Sequence, residues 1–302
     1  MVCGAGGGRR CGGCGAVSYC APRCQRSDWA RHKTNCCPVV IRETEGRGRG
    51  LEAARDIKTG DLILLDTAVI TVTEEADTWQ AGKQIHDQVN RLKENDRREF
   101  YKLTKMQKLL DISDTFISAA GDDTDNLKKA ELVSLYKHET AIFFNNDISG
   151  CAGSKSLYLS MALLNHSCSP NSCWSRAGDD RRLELRALKE VKEGQEVTVN
   201  YISVEGRFTE RQERRERLRR GWDFLCDCQL CQTGEEEDTK LEIRRRQEDM
   251  RLLCDRPLED IDWAALAALQ LEVVELVESL SSAPLLLPRE CHSLANLAQL
   301  AR

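Results

Sequence analysis

Two short stretches of this 302-residue chain carry side chains at spacings that chemistry uses. Asn165-His166-Ser167-Cys168-Ser169-Pro170-Asn171 holds amides, an imidazole, hydroxyls, a thiol and a proline turn within one heptapeptide. It follows the apolar run from Leu157 to Leu164, so polar groups begin where a buried segment ends. Three readings compete for it: a cofactor site, a metal site, or a polar turn that caps a buried strand. Downstream, Cys226-Asp227-Cys228-Gln229-Leu230-Cys231 repeats cysteine at the close intervals that let one turn offer several thiolates to one ion.

The N-terminal end has a third cluster. From Cys11 the potential ligands are Cys11, Cys14, Cys20, Cys24, His32 and Cys36, in the pattern C-x2-C-x5-C-x3-C-x7-H-x3-C. The C-x2-C and H-x3-C spacings suit pairs of ligands on one tetrahedral zinc, with Zn–S near ~2.3 Å. Ser27-Asp28-Trp29, followed by His32 and Cys36, reads as a short capped helix, because i and i+4 share a face. A segment this short buries too little apolar area to fold alone, so the metal would supply its folding energy. The chain has 15 cysteines, an odd number, and seven of them lie in the first 37 residues. Clustering without a secretion signal favours zinc over a disulfide framework. Cys37, Cys151, Cys173, Cys254 and Cys291 have no partner at ligand spacing and read as ordinary thiols.

The elements that would position these groups are legible in outline. Gly46, Gly48 and Gly50 alternate with Arg47 and Arg49, a pattern that permits close backbone approach and offers guanidinium groups to a carboxylate or phosphate. Leu51 to Ala54 and Asp61 to Thr73 read as strands around a turn at Lys58-Thr59-Gly60. No strand–GxGxxG–helix unit follows, which argues against a dinucleotide fold. Residues 77 to about 140 read as helices, for example Lys83 to Met106, interrupted by a loop from Gly121 to Asn126. Strand signals resume at Ala141 to Phe144, Leu183 to Ala187 and Glu196 to Tyr201. Glu210 to Gly221 reads as a solvated helix rather than a localisation patch. The acidic stretch Gly234 to Asp238 marks a boundary. A periodic helix starts at Asp262, with Leu266, Leu269, Val273, Leu276, Val277 and Leu280 along one face. Pro284 and Pro288 end it, and a short helix from Glu290 closes the chain.

Composition sets the outer limits. The chain is 41% hydrophobic and 31% charged, ordinary for a globular protein. A net charge of −5 argues against a general binder of nucleic acid or anionic membranes. No run of 18 apolar residues offers a membrane span. The N-terminal stretch lacks an apolar signal core, and Val2 stands where a myristoylation signal requires glycine. These features place the chain inside the cell, in cytoplasm or nucleus.

The N-terminal cluster, with Tyr19-Cys20, Asp28-Trp29 and His32-Lys33, resembles the MYND zinc finger. The resemblance puts Cys11, Cys14, His32 and Cys36 on one zinc and Cys20 and Cys24 on a second. The upstream C-x2-C pair of that second site is missing, with only Cys3 nearby. The Gly-Arg turn, the heptapeptide, Gly194-Gln195-Glu196-Val197 and Tyr201 occur in the order of the SET domain of protein lysine methyltransferases. The C-x-C-x2-C run resembles the post-SET segment of that family. The whole is similar to the SET-and-MYND family.

That resemblance implies a mainly β fold with helical insertions: a SET-domain β-clip (pseudoknot) behind a MYND finger. The expected layout is a finger over 1–40, possessing one incomplete site, and a SET domain over 41–232. The latter would include a helical insertion at about 77–140 and a post-SET segment at 222–232, with a short helical region over 233–302. It implies S-adenosylmethionine held by Arg47, Gly48, Arg49, Asn146, Asn165, His166, Tyr201 and Phe224, with Asn145 nearly as good a match as Asn146. Tyr201 would be the catalytic residue, orienting a substrate lysine. Cys168, Cys226, Cys228 and Cys231 would share a zinc, for two or three structural zinc ions in all.

Two departures stand out. Trp222 occupies the place where many members have a second channel tyrosine, and the finger precedes the Gly-Arg turn, an order that resembles the arthropod branch. The implied function is a protein-lysine N-methyltransferase acting on histone or non-histone lysines, as a monomer, with a proline-rich peptide as a partner at the finger. The alternative is a non-enzymatic adaptor of the corepressor kind.

Overall fold

The computed structural model describes residues 9–10, 18–36, 38–44, 46–73, 78–105, 126–149, 154–177, 181–202, 208–255, 257 and 260–280. Three small sheets make the centre. The first has the order β3 (Val39–Thr44), β4 (Gly48–Ala53), β12 (Glu196–Val199) and β9 (Asn165–His166). The second joins β10 (Ser172–Arg176), β11 (Arg182–Ala187) and β5 (Leu62–Thr67). The third joins β6 (Ile70–Thr73), β8 (Ser154–Leu157) and β7 (Asp147–Ser149). β6 and β11 turn alternate residues inward, as a pleated backbone allows. Leu183, Leu185 and Ala187 of β11 are buried, and so are Val197 and Val199 of β12. With Leu51, Ile63, Ile70 and Leu157 they form one apolar core.

The heptapeptide is fixed by a pairing of unusual type. β9 runs parallel to β12, with Asn165 opposite Thr198 and His166 opposite Val199; every other described pairing of named strands is antiparallel. A parallel pair requires a long crossover connection, here the whole segment from 167 to 195. Before β9, a 3₁₀ turn over Met161–Leu163 delivers the chain to the sheet. Asp66, at the end of β5, accepts the backbone N–H groups of Ser160 at 2.7 Å and Met161 at 3.1 Å. After β9, Asn171 behaves as a surrogate strand. Its Oδ1 accepts from the Thr198 N–H at 2.8 Å and its Nδ2 donates to the Glu196 carbonyl at 2.8 Å.

The helical insertion is α2 (Thr78–Arg91), α3 (Glu94–Tyr101) and α4 (Asn126–Asn146). It differs from the sequence expectation twice. The helix expected from Lys83 to Met106 is broken at Leu92-Lys93 into α2 and α3 and ends at Tyr101, and Met106 lies outside the described residues. Ala141 to Phe144, expected as a strand, is the end of α4. Glu139, Thr140, Ala141, Ile142 and Phe143 are all buried. A helix end enclosed on every side shows no 3.6-residue alternation and mimics an apolar strand. The helical part of the insertion therefore runs to Asn146, past the expected limit near 140. The expected loop from Gly121 lies outside the described residues up to 125.

At the N-terminal end, β1 (Arg9–Arg10) pairs with β2 (Ser18–Tyr19), and α1 spans Pro22–Cys36. The expected cap at Ser27 is replaced by a start at Pro22, whose ring suits the first helical position. Ser27 instead donates from Oγ to the Cys24 carbonyl at 3.2 Å within the helix. Asp28 is buried and accepts from the Tyr19 hydroxyl at 2.8 Å.

Beyond the sheets come α5 (Arg211–Trp222), α6 (Gln229–Thr233), α7 (Glu237–Cys254) and α8 (Trp263–Glu278). α5 is mostly the solvated helix its charges suggest, with Glu216 pairing Arg219 at 3.0 Å and Arg220 at 2.8 Å. Arg214 is the exception. Only 1% of it is exposed, and it donates to Glu237 at 2.7 Å. The acidic stretch leads into α7, and Glu237 also accepts the Arg211 N–H at 2.7 Å. α7 and α8 bury Ile243, Val273, Val277 and Leu280 against Phe208. Asp262 caps α8 by accepting from the Ala265 N–H at 2.9 Å. The expected helix from Glu290 lies outside the described residues.

Candidate active site

One cavity of about 250 Å³ gathers the expected site residues from five separate segments. The Gly-Arg turn brings Gly46, Arg47 and Arg49; the insertion brings Thr104, Asn145 and Asn146. Ala162, Asn165 and His166 come from the turn into β9, and Tyr201 from just beyond β12. The last wall is Trp222, Phe224, Leu225, Cys226 and Asp227. Gly48 is the one expected cofactor residue absent from this wall. Its φ of +70° shapes the turn, and it lines the adjoining cleft with Arg49, Thr104 and Ala162.

Each polar side chain is held. Arg49 donates to Glu99 at 3.0 Å. Arg47 pairs with Glu196 at 3.3 Å and, on its other Nη, with Asp227. Burial works against the Arg47 charge, but Asp227 and then Glu196 hold its pKa above the ordinary value. Asn146 donates to the carbonyls of Thr104 and Ile142, both at 2.7 Å, and Asn145 to Thr104 at 3.2 Å. Both amides therefore reach the cavity edge from one helix end.

Tyr201 is partly buried and packs against both the main core and the cluster of four cysteines. Its hydroxyl donates to the Leu164 carbonyl. Burial, and secondarily the charge of Glu196, push its pKa well above that of an ordinary phenol, so it stays neutral. The rings of His166 and Trp222 stand 5.3 Å and 5.2 Å from it, and Phe224 meets it edge-on at 6.5 Å. These aromatic faces make an apolar sleeve around one hydroxyl.

Behind that sleeve lie four thiols. Cys168, Cys226, Cys228 and Cys231 are all buried, and their sulfurs fall within 4.8 Å of one another. Cys168 Sγ is 3.9 Å from Cys226 and 3.5 Å from Cys231. Those separations exceed a disulfide bond and match the edge of a tetrahedron of sulfurs ~2.3 Å from a central zinc, about 3.8 Å. The donor set and its burial fit a closed structural zinc site. Among the described residues no other group of this kind comes together.

In the finger, Cys20 and Cys24 bring their sulfurs to 3.0 Å. His32 and Cys36 lie on the last turns of α1. Cys11 and Cys14 lie outside the described residues. The heptapeptide sends its side chains three ways: Asn165 lines the cavity, Cys168 joins the thiol cluster, and Asn171 pairs with the backbone of β12.

A SET domain family model matches residues 48–202, just over half of the chain, and a MYND finger model matches residues 1–36. The chain belongs to the SET domain family. N-lysine methyltransferase SMYD2 of Bos taurus is 26% identical over 236 residues, covering 78% of this chain and 50% of that protein. The protein of the same name from Gallus gallus is 27% identical over 239 residues, with 78% and 50% covered. The chain spans about half the length of the curated relatives it matches. A solved structure, the SET domain of LSMT bound to lysine and AdoHcy, is 13% identical and overlaps with a TM-score of 0.42, covering 74% of this chain and 64% of that one.

In this SET domain, sequence reasoning passed over Glu196, Asp227, Thr104 and Leu225. The first two are charged residues that meet Arg47 across 149 and 180 residues of chain, and Thr104 contributes a backbone carbonyl. No local pattern announces such roles.

Proposed function

We propose that the chain is an S-adenosylmethionine-dependent protein-lysine N-methyltransferase. The carrying observation is the convergence of Arg47, Asn165, His166 and Tyr201 on one cavity walled by aromatic rings. When bound, S-adenosylmethionine supplies a methyl group on a sulfonium, which passes to a lysine nitrogen as the S–C bond breaks. Asn165 and the backbone at His166 would hold the amino-acid and adenine parts, with Arg47 and Arg49 near the carboxylate and Asn146 as a third polar contact. The Tyr201 hydroxyl, kept neutral, would orient the amine, whose reference pKa of ~10.4 must fall for it to react. The apolar walls of Trp222 and Phe224 favour the uncharged amine by desolvation. A zinc held by Cys168, Cys226, Cys228 and Cys231 would fix the wall that carries Phe224 and Asp227. The finger, with Cys11, Cys14, Cys20, Cys24, His32 and Cys36 as zinc ligands, would take a proline-rich peptide.

One observation favours the adaptor reading. The Arg47 guanidinium, expected at a cofactor carboxylate, is already satisfied by Glu196 and Asp227. Calorimetric titration of the zinc-loaded chain with S-adenosylmethionine decides between the two. Saturable binding that Asn165→Ala abolishes supports the enzyme, and labelled methyl transfer to lysine peptides then reads its activity. A folded, zinc-replete chain that binds nothing leaves the adaptor.

A further inference from the structure

Glu196 does not line the cavity; it stands behind two residues that do. Its Oε1 accepts from Asn165 Nδ2 at 2.8 Å and from Thr44 Oγ1 at 3.4 Å, and its Oε2 faces Arg47 Nη1 at 3.3 Å. The backbone that carries this carboxylate is fixed as well, since β12 pairs Glu196 with Glu52 of β4 and the Glu196 carbonyl accepts from Asn171. Gly50 leaves the room for this arrangement. A Cβ there would lie 2.6 Å from Glu196 Oε1 and 2.9 Å from Asn165 Nδ2. Both contacts are shorter than real side chains tolerate, so the strand and the carboxylate–amide pair are fitted to each other.

The geometry has a directional consequence. A primary amide has a donor end and an acceptor end. The donor end of Asn165 is committed to Glu196 and, at 3.5 Å, to the Arg49 carbonyl. Its oxygen is the end left for a ligand in the cavity, where it accepts and cannot donate. Without Glu196 only the longer contact to the Arg49 carbonyl would oppose a turn of the amide, which would present a donor to the same ligand group. We propose that Glu196 is a positioning residue, one that sets the Asn165 amide as an acceptor for a ligand ammonium and holds the Arg47 guanidinium beside it. This rests on the cofactor reading above.

The test is calorimetric binding of S-adenosylmethionine to the full zinc-loaded chain as wild type, Glu196→Ala, Glu196→Gln, Asn165→Ala and the double alanine variant. Removing Glu196 should weaken binding about tenfold or more, the scale of a lost hydrogen bond to a charged group. The double variant should bind no worse than the weaker single one, because the two residues act as a unit. Glu196→Gln keeps one oxygen for Asn165 but turns an N–H toward Arg47, so it should fall between wild type and Glu196→Ala. Zinc content and melting temperature report whether each variant folds. If Glu196→Ala does not fold, a folded Glu196→Gln that binds as wild type overturns the proposal, and one with intermediate affinity supports it. Wild-type affinity in a folded Glu196→Ala overturns it, as do independent, additive losses in the double variant. Absence of binding by the wild type would instead remove the cofactor reading and this inference together.

Discussion

Nδ1 of His166 accepts the backbone N–H of Tyr201 at 3.0 Å, while Nε2 of the same ring stands 3.3 Å from Sγ of Cys168. A nitrogen that accepts carries no proton, so the ring proton sits on Nε2 and points at the sulfur. One buried imidazole therefore joins the thiol cluster to the residue proposed for catalysis. Partners of this kind commonly change metal affinity about 10–100-fold when lost. His166→Phe, which keeps a ring but neither nitrogen, is expected to release zinc to a competing chelator at correspondingly lower concentration. Unchanged zinc retention would show that the imidazole serves only the strand.

Trp222 narrows the aromatic sleeve, standing 5.2 Å from Tyr201 with its ring tilted by 45°. Replacement by a smaller side chain adds volume beside the phenol without touching Asn165. If the chain transfers methyl groups, Trp222→Ala is expected to raise the number added to one lysine, read by mass spectrometry of a peptide product. An identical product distribution would place the indole outside the path of the amine.

The carboxyl of Asp147 has its pKa raised to about 6 by burial, with Lys155 opposing the shift. A carboxyl that holds its proton more tightly folded than unfolded stabilises the fold below the unfolded pKa, near ~4. That contribution is lost as pH rises through about 6. Asp147→Asn is expected to be more stable than wild type at pH ~7.5, by on the order of 2 kcal/mol, and to match it near pH ~4. Urea unfolding at the two pH values checks this, and parallel pH profiles of the two proteins would contradict it.

Arg214 is buried and relies on Glu237 and the Thr209 carbonyl, at 2.7 Å and 2.5 Å. Breaking a buried pair by removing one partner strands a charge and typically costs ~3–5 kcal/mol. Glu237→Ala should therefore unfold at markedly lower urea, whereas Glu216→Ala, on the solvated face of the same helix, should shift the midpoint little. Equal effects of the two would mean that Arg214 finds water when its partner leaves.

The parts of this molecule legible in its sequence are those set by neighbours. Leu183 to Ala187 alternates inside and outside, and the strand is where the alternation puts it. The four cysteines of the central cluster come together as the family resemblance implied. Ala141 to Phe144 was illegible because a fully enclosed helix end has no outer face to break its apolar run. Glu196 was hidden for a different reason. It looks like the polar position of a strand, and only the fold reveals that Asn165, Arg47 and Thr44 arrive at the same carboxylate from 31, 149 and 152 residues away.

Those separations bear on how the molecule is made. Arg47 meets Asp227 across 180 residues, and Cys168 meets Cys231 across 63. A chain emerging from the ribosome can complete the first sheet's β3–β4 hairpin early, but the cavity has no last wall until Cys231 has left the exit tunnel. Contacts so distant in sequence are slow to close. The four thiols therefore cannot come together before Cys231 is made, so the wall they anchor closes after the sheets that precede it in the chain.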